Sequence, residues 1–383
     1  HVARKHPPRV LLAGCSLSVR NIASFFSSRL WRVSTQHLQC GSGIGNARIG
    51  AARTRTATML APRSLVLCAL LARFATATPT CVETGSPSTT YICSRFTSHT
   101  DFDRFLSRDF TPDRYSRVDV VLKDSNLDYL PPAAFEGTRA SSLTFSNVRV
   151  HGETPQSAGG HPFSGVTAWL KTVTFSDGST VPHSWSLLAP LNKLEELVLD
   201  QMHYVHLSSD FNQLPKNLKR IRITNSTISS VDPDWLQSLV NIEALRVENS
   251  NLNHFNRTML PQPASKLTSL TLRNANLTSL PAELTVEAPH LTELNLQGND
   301  IKHFNQESFA PLLTQHPNVT AHLDGNPLDC DCNARFLNQV PQSWTTPPCN
   351  SPDRLKGRYV KNIGISQLIC EAASGGPPAS PGQ

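Results

Sequence analysis

The sequence predicts an α/β repeat fold, in which short strands stack side by side into one parallel sheet with a disulfide-bonded cap at each end. Three observations predict it: an apolar pattern that recurs about every 24 residues, cysteines confined to the two flanks of that pattern, and an export signal ahead of it. A chain of 383 residues would ordinarily form about two or three domains, but a repeat array removes that expectation.

The apolar pattern has the form apolar-x-x-apolar-x-apolar. The clearest copies begin at Leu194, Leu218, Ile242, Leu267 and Leu291, so successive starts lie 24 or 25 residues apart. Weaker copies precede them around Val120, Leu143 and Leu170, and a degenerate last copy contains Leu323, Asn326 and Leu328. Apolar residues two apart point to one face of a strand, and a single strand cannot bury that face, so the copies must stack on one another.

Asparagines follow the predicted strands, where a side-chain amide can bond otherwise unpaired backbone groups. Asn299 and Asn326 occupy the usual position for a ladder of such amides. In the earlier copies the asparagine is shifted by one residue, as at Asn225, Asn249 and Asn274. The shift predicts a less regular ladder there.

The start of the chain differs in composition from the rest. Residues 1–58 contain nine basic and no acidic residues, whereas residues 78–383 contain 24 basic and 29 acidic residues and carry a net charge of −5. The basic balance of the whole chain therefore does not indicate a nucleic-acid partner. Because the first methionine is Met59, we expect residues 1–58 to be an untranslated or non-structural leader, with an Arg-rich transit peptide as the alternative.

A secretory signal peptide is predicted at residues 59–77. It has a basic residue, Arg63, a short apolar run at residues 65–72, and small residues at 75–77, after which we expect cleavage. This apolar run is too short to cross a bilayer core of about 30 Å. No apolar span follows Cys370 either, so we expect no membrane span in this chain.

An even number of cysteines behind a signal peptide predicts disulfide bonds. Two lie in front of the repeats and four behind them: Cys81, Cys93, Cys330, Cys332, Cys349 and Cys370. A middle without cysteines must be held together by its core, whereas the ends of a stacked array expose apolar faces and need support. A zinc site at the C-x-C sequence is the alternative, but secretion and the lack of clustered histidines argue against any metal.

Residues 118–370 resemble the leucine-rich-repeat family, for which stacked copies with this spacing are highly specific. The resemblance implies a curved solenoid with the parallel sheet on its concave face. The cysteine-containing end looks like the C-terminal cap of extracellular members, which implies the pairings Cys330–Cys349 and Cys332–Cys370. Four cysteines by themselves allow three connectivities.

The N-terminal cap departs from the family, whose members often carry four cysteines there. This chain has Cys81 and Cys93 alone, and we expect them to bond. The predicted organisation is a leader (1–58), a signal peptide (59–77), an N-terminal cap (78–116), leucine-rich repeats (117–324), a C-terminal cap (325–370) and a flexible tail (371–383).

Members of this family commonly bind proteins on the concave face, so the outward residues of the strands are candidate ligand contacts: Asp200, Arg220, Arg222, Arg246, Glu248 and Arg273. Adjacent strands lie about 4.8 Å apart, so Arg222 and Arg246 should be neighbours. Two interpretations stay open. The group is a mixed-charge patch for an acidic or polar partner, or it is a solvated face whose charges pair among themselves. The alternating signs and the lack of aromatic anchors favour the second.

Two further surface features accompany the repeats. N-x-S/T sequences predict N-glycosylation at Asn225, Asn256, Asn276 and Asn318, and a glycan on Asn225 would shade one edge of the arginine patch. A basic cluster in the C-terminal cap contains Arg354, Lys356, Arg358 and Lys361. It could bind sulfated glycans or anionic surfaces, or be plain solvated surface.

No catalytic motif is present: the sequence has no H-E-x-x-H, no G-x-S-x-G and no phosphate-binding loop. His206, His254 and His303 occupy equivalent places in copies two repeats apart, roughly 10 Å from one another. This separation is too large for them to share one metal, whose ligands lie at about 2 Å. They are predicted to be exposed loop histidines. We therefore expect no enzyme activity, cofactor or metal.

These features predict a secreted or extracellular glycoprotein that binds another protein. The resemblance implies a role in adhesion, guidance or immune-type recognition, although fold does not determine function. One alternative is the ectodomain of a membrane-anchored receptor at the cell surface. A second is a matrix component that binds glycans through the basic cap.

Overall fold

The computed structural model describes residues 78–85, 88–106, 117–315 and 318–370. The predicted leader (1–58), signal peptide (59–77) and flexible tail (371–383) lie outside the described residues. The described chain is built mainly of short strands, with two α-helices, α1 (His99–Phe105) and α2 (Gln306–Gln315).

The strands follow one another at the predicted repeat spacing. In chain order they are β1 (Thr80–Thr84), β2 (Ser88–Ser94), β3 (Arg117–Leu127), β4 (Ser142–Val150), β5 (Thr172–Ser176), β6 (Glu196–Asp200), β7 (Val205–Leu207), β8 (Arg220–Thr224), β9 (Ile228–Val231), β10 (Ala244–Glu248), β11 (Ser269–Arg273), β12 (Glu293–Asn295), β13 (Thr320–His322), β14 (Leu328–Asp329) and β15 (Cys349–Ser351). Several connections and the segment after β15 contain 3-10 turns: Gln156–Ala158, Ser164–Val166, Trp185–Leu188, Ser209–Gln213, Arg257–Met259, Cys332–Asn338, Asp353–Leu355, Val360–Asn362 and Ile365–Gln367.

Eleven strands form one sheet in the order β1-β2-β3-β4-β5-β6-β8-β10-β11-β12-β13. Strands β1 and β2 are antiparallel, and every other neighbouring pair in this sheet is parallel. The second apolar residues of successive copies stand directly opposite one another, as Leu197, Ile221 and Leu245 do. The predicted fold class, a stack of repeats on a parallel sheet, is confirmed.

The inward side of the sheet packs on one continuous apolar core. The three apolar positions of the fourth copy, Leu194, Leu197 and Leu199, are fully buried. Burying such a side chain stabilises the fold by about 1.5–3 kcal/mol. Behind the strands runs a column of aromatic rings, in which Trp235 meets Phe211 with ring centroids 5.2 Å apart. Phe211 also meets Trp185 with ring centroids 4.7 Å apart, so rings from three successive copies contact one another.

A buried polar ladder runs beside the core, and it is less regular in the copies before Asn299, as the sequence predicts. Asn299 accepts bonds from the backbone N–H groups of Ala275 (2.8 Å) and Leu277 (3.1 Å) and donates to the carbonyls of Leu272 (2.7 Å) and Leu296 (2.8 Å). Three earlier copies have a serine at the same position, three residues after the third apolar residue: Ser125, Ser226 and Ser250.

Two of these serines show how the substitution works. Ser250 accepts from Ser226 N–H at 3.0 Å and donates to the carbonyl of Glu248 at 2.9 Å, and Ser226 does the same one copy earlier. The inner ladder is therefore irregular, because hydroxyls replace amides in some copies and Met202 and Ala275 interrupt it in others. The shifted asparagines belong to a different, exposed ladder.

Disulfide bonds close both ends of the array. Cys81 in β1 bonds Cys93 in β2. At the other end Cys330 bonds Cys349 and Cys332 bonds Cys370, which are the pairings that the family resemblance implies.

Aromatic side chains seal the core beneath the C-terminal cap. The ring centroids of Trp344 and Phe309 are 5.6 Å apart, and the indole N–H of Trp344 donates to the Val319 carbonyl at 3.0 Å. Phe336 stacks on Phe309 from the cap side, with ring centroids 5.9 Å apart. In the part of the chain that the structure describes, no helix has the length and apolarity that a membrane crossing requires.

Candidate functional site on the outer face of the sheet

The side of the eleven-stranded sheet that faces away from the core is here called the outer face. Side chains alternate along a strand, so each strand sends its residues between the core positions to this face. The middle row crosses the sheet in register as Ile92, Val121, Thr144, Thr174, Val198, Arg222, Arg246, Thr271, Asn295 and His322. Its chemistry changes at β8, from small uncharged side chains to arginine.

The candidate arginines lie together on β8 and β10. Arg222 and Arg246 stand directly opposite each other in register. Arg222 Nη2 lies 3.1 Å from Glu196 Oε1, and Arg220 Nε lies 3.6 Å from the second oxygen of the same carboxylate. Arg220 also approaches Glu195 at 3.8 Å. One glutamate of β6 therefore serves two arginines of β8.

The next strands continue this pattern of internal pairing. Arg246 Nη1 lies 3.7 Å from Glu248 Oε2, within the same strand. Arg273 stands opposite Glu248 in register, but no carboxylate among the described residues lies within 4.0 Å of its guanidinium. Exposed pairs of this kind contribute about 0–1 kcal/mol each. The geometry matches the second interpretation of the patch, in which its charges pair among themselves.

Asp200 is held by its neighbours. Its carboxylate accepts hydrogen bonds from Thr224 Oγ1 (2.5 Å), Asn225 Nδ2 (3.0 Å) and Gln201 Nε2 (3.4 Å). Burial would raise the pKa of Asp200, but these hydrogen bonds together lower the pKa below its ordinary value. Asp200 therefore stays ionised as an internal acceptor.

The shifted asparagines form an exposed ladder along the ends of the strands. Asn274 Nδ2 donates to Asn249 Oδ1 at 2.8 Å, and Asn249 Nδ2 donates to Asn225 Oδ1 at 3.1 Å. All three have φ near +50°, a left-handed conformation that asparagine tolerates. Gly298 follows them in the next copy, where an added Cβ would lie 1.8 Å from Asn274 Oδ1. The ladder ends on the carboxylate of Asp200.

The predicted glycosylation positions all carry exposed side chains: Asn225, Asn256, Asn276 and Asn318. Asn225 directly follows β8, beside the arginine patch, as the sequence expectation placed it. The amide of Asn225 takes part in the exposed ladder at both its nitrogen and its oxygen. No N-x-S/T sequence occurs between residues 78 and 224.

The half of the outer face formed by β4 and β5 is uncharged, and sequence reasoning missed it. The neutral patch consists of Ser142, Thr144, Ser146, Thr172, Thr174 and Ser176, with Val121 and Val198 on its two sides. These side chains are short and mostly half-buried, so the surface is flat. Charges stand only at its margins, as with Asp119, which pairs with Arg117 at 2.9 Å.

An aromatic residue stands at the edge of the neutral patch. Trp169 lies three residues before β5 and is 49% exposed. The guanidinium carbon of Arg139, three residues before β4, lies 5.6 Å from the centroid of the Trp169 ring. Exposed tryptophan and arginine are the residue types most enriched among binding hot spots. Trp169 lies outside the strands, so the apolar periodicity of the sequence does not mark it.

A groove lies on the flank of the array, next to the end of β4. It has a volume of about 750 Å³ and is bordered by the long connection after β4 and by residues 180–187. His161 lies in its wall and accepts a bond from Phe163 N–H on Nδ1 at 3.2 Å. Burial lowers the pKa of His161, and a hydrogen bond with the backbone of Leu187 acts in the opposite direction.

The remaining candidates lie apart from the outer face. His206 stands 3.8 Å from Asp232, and His303 stands 3.3 Å from Asp329 in the C-terminal cap. Both histidines are exposed, as is His254. No group of three or more potential metal ligands is found within the described ranges.

The basic cluster lies on the C-terminal cap, where all four of its side chains are exposed: Arg354, Lys356, Arg358 and Lys361.

The chain is similar in sequence to known repeat proteins. A family model described as leucine rich repeat matches residues 265–315. Toll-like receptor 9 of Mus musculus is 26% identical over 194 residues, which cover 49% of this chain and 18% of the receptor. The leucine-rich repeat transmembrane protein FLRT2 of Rattus norvegicus is 27% identical over 251 residues, which cover 51% of this chain and 37% of that protein. The chain thus spans less than half the length of these curated relatives.

Among solved structures, human 5T4, also named trophoblast glycoprotein, is similar to this chain with a TM-score of 0.46. Its sequence identity is 18%, and the similarity covers 73% of this chain and 94% of that one.

Proposed function

We propose, from the premise that this chain is a leucine-rich-repeat protein, that it is an extracellular module that binds a protein partner and has no enzyme activity. The observation that carries the proposal is the neutral patch. It is flat, uncharged and free of glycosylation sequences, and it has an exposed tryptophan at its edge. A partner can desolvate the centre of this surface at lower cost than a charged one, because its charges stand at the margin, as does Asp177, which accepts hydrogen bonds from Ser146 and Ser176.

The arginine patch is the weaker candidate for the same role. The guanidinium groups of Arg220, Arg222 and Arg246 meet carboxylates of the same face, and a partner would have to break or desolvate those pairs. A glycan on Asn225 would also stand at its margin. We therefore place the partner on the neutral patch, with Arg220, Arg222, Arg246, Glu248, Arg273 and Asp200 outside its centre.

Export accounts for the disulfides at both ends and for the exposed glycosylation sequences. We propose that a signal peptide at residues 59–77 directs this export and that residues 1–58 before it are a leader. The two caps (78–116 and 325–370) then enclose the repeats (117–324), and the tail (371–383) is a linker. By analogy with the relatives, one named a receptor and one a transmembrane protein, the role is recognition at or near the cell surface.

The proposal is tested by binding with the full glycosylated chain. A panel of extracellular protein domains is screened for binding, and each partner found is measured against two double variants. Thr144→Arg with Thr174→Arg places bulky cations on the neutral patch, and we expect at least about tenfold weaker binding. Arg222→Gln with Arg246→Gln, which alters the arginine patch, should change binding by less than about threefold. The opposite order would overturn the placement of the site.

The alternative is the ectodomain of a membrane-anchored receptor. An antibody to the repeats, applied to fractions of the native source, separates the two. A soluble species whose deglycosylated mass matches residues 78–383 supports a secreted binder. A larger membrane-bound species supports the receptor.

A further inference from the structure

We propose that the C-terminal cap carries a separate binding surface for a linear sulfated polysaccharide, formed by Arg354, Lys356, Arg358 and Lys361. This inference does not depend on the proposed protein-binding function of the sheet. It rests on how the four charges of this basic cluster are held.

The cations of the basic cluster have no acidic partners. Arg354 Nη1 donates to the Gln367 carbonyl at 2.9 Å, and Arg358 Nη2 donates to the Asn362 carbonyl at 3.2 Å. Lys361 Nζ lies 3.4 Å from the Pro341 carbonyl. A carbonyl positions a cation without cancelling its charge. Across the described ranges, no carboxylate lies within 4.0 Å of any of the four side chains.

The backbone that presents the cluster is rigid. Arg354 lies in the 3-10 turn Asp353–Leu355, and Lys361 lies in the turn Val360–Asn362. Between these turns the backbone of residues 357 and 358 is hydrogen-bonded to Cys349, which is bonded to Cys330. The four charges are therefore displayed on a preorganised loop, which lowers the entropy lost on binding.

The charge of the rest of the chain makes the cluster stand out. Residues 325–370 contain five basic and three acidic residues, for a net charge of +2, whereas residues 78–324 contain 19 basic and 25 acidic residues, for a net charge of −6. A polyanion is therefore repelled by the array and attracted to one end. The cap also has no N-x-S/T sequence, so no glycan of the protein's own is predicted to cover this surface.

A sulfated polysaccharide fits this surface for two chemical reasons. Its sulfates are permanently charged and spaced along a chain, which matches cations spread over a loop. The forked guanidinium groups of Arg354 and Arg358 also suit the tetrahedral oxygens of a sulfate. An anionic membrane is the competing ligand, because Tyr359 and Ile365 are about half exposed near the cluster. The polysaccharide is favoured because the cluster is polar at its centre.

The experiment uses the full chain on immobilised heparin with a salt gradient. We expect the wild type to elute above physiological ionic strength, about 0.15 M. The quadruple variant Arg354→Gln, Lys356→Gln, Arg358→Gln and Lys361→Gln should elute at or below it. The matched control is Arg220→Gln, Arg222→Gln, Arg246→Gln and Arg273→Gln on the sheet, which removes the same number of charges. That control should elute much closer to the wild type than the variant of the cap does.

Two further measurements separate binding from folding and sulfate from lipid. The backbone N–H of Lys356 donates to the Asp353 carbonyl, but its side chain makes no described hydrogen bond or ion pair. Lys356→Glu should therefore keep the fold, checked by thermal unfolding, and still elute at lower salt. Heparin stripped of sulfate should not retain the protein, and vesicles with phosphatidylserine should bind it more weakly than heparin does. Equal shifts in both quadruple variants, no shift in either, or binding to vesicles without binding to heparin would each overturn the proposal.

Discussion

The arginines of the sheet and the cations of the C-terminal cap are chemically alike but differ in their surroundings. On the sheet, Arg220 and Arg222 share the carboxylate of Glu196 at 3.6 and 3.1 Å. On the cap, Arg354 and Arg358 meet only backbone carbonyls. The first region is neutralised from within, whereas the second keeps its charge for an external partner.

The difference follows from how each region is built. Parallel strands in register hold side chains of neighbouring copies about 4.8 Å apart, so a glutamate on one strand meets an arginine on the next. The cap segment runs through 3-10 turns and has no such neighbouring strand. Its only acid between residues 353 and 361 is Asp353, which makes no ion pair within 4.0 Å. Repetition thus supplies partners that an irregular segment lacks.

The largest expected effect is on the free energy of unfolding. The inner ladder holds neighbouring copies in the register that the ion pairs of the sheet require. Asn299→Ala would remove the side-chain partner of the buried backbone groups of Leu272, Ala275 and Leu277, and we expect a loss of about 3–5 kcal/mol in the free energy of unfolding. Asn249→Ala, in the exposed ladder, is the matched control and should cost less than about 1 kcal/mol. Chemical denaturation measures both. Similar losses in the two variants would show that the inner ladder has no special role.

The second effect comes from removing a disulfide bond beneath the basic cluster of the cap. Cys330→Ser with Cys349→Ser removes the bond between residues 19 apart in sequence. We expect it to lower the stability of the cap by about 3 kcal/mol. Retention on heparin should fall with it, because the backbone beneath Arg358 is released, while hydrogen exchange in β4–β8 should remain slow. Unchanged retention would mean that the cations act without the scaffold.

The third effect would make the sheet resemble the cap. Glu196→Gln removes the carboxylate that pairs with Arg220 and Arg222, so Arg222 becomes free and Arg220 keeps only Glu195 at 3.8 Å. We expect later elution from heparin than for the wild type, and a stability change below about 1 kcal/mol because the pairs are exposed. Glu243→Gln, which frees only Lys219 at 3.8 Å, should shift elution less. Earlier elution of the Glu196 variant would contradict the account of the sheet as neutralised from within.

The smallest effect concerns acid. Burial lowers the pKa of His161 below its ordinary value of 6.5, so the unfolded chain takes up this proton at a higher pH than the folded chain does. The contribution of His161 to stability is therefore fully present above pH 6.5 and decreases as the pH falls below it.

We expect the melting temperature to drop by about 1–2 °C from this group between pH 7.5 and 5.5. His161→Asn should remove that part of the drop, since the amide oxygen can still accept from Phe163, while the exposed His183→Asn should leave it unchanged. Heparin retention through arginine and lysine should persist over the same range. If the melting temperatures of both variants fall with acid as much as that of the wild type, the assignment of this drop to His161 is wrong.

The sequence alone determined the repeat, its period and the direction of the core. Apolar residues such as Leu194, Leu197 and Leu199 recur at a spacing that only stacked strands can bury, and that requirement is local enough to be visible in one copy. The positions of the cysteines marked the two ends in the same way. Asn299 was recognisable because an amide is the usual residue at its position.

Tertiary structure decided which polar side chains meet. Ser226 and Ser250 enter the inner ladder, and Asn225 and Asn249 form the outer one, because a shift of one residue turns a side chain from the core to the strand ends. The neutral patch and the contact of Arg139 with Trp169 likewise join residues 23 or more positions apart in sequence. Whether a charge is neutralised or left for a partner depends on which strand or turn lies beside it. The sequence specified the side chains of Arg222 and Arg354, and the packing of neighbouring copies decided that only the first would find a carboxylate.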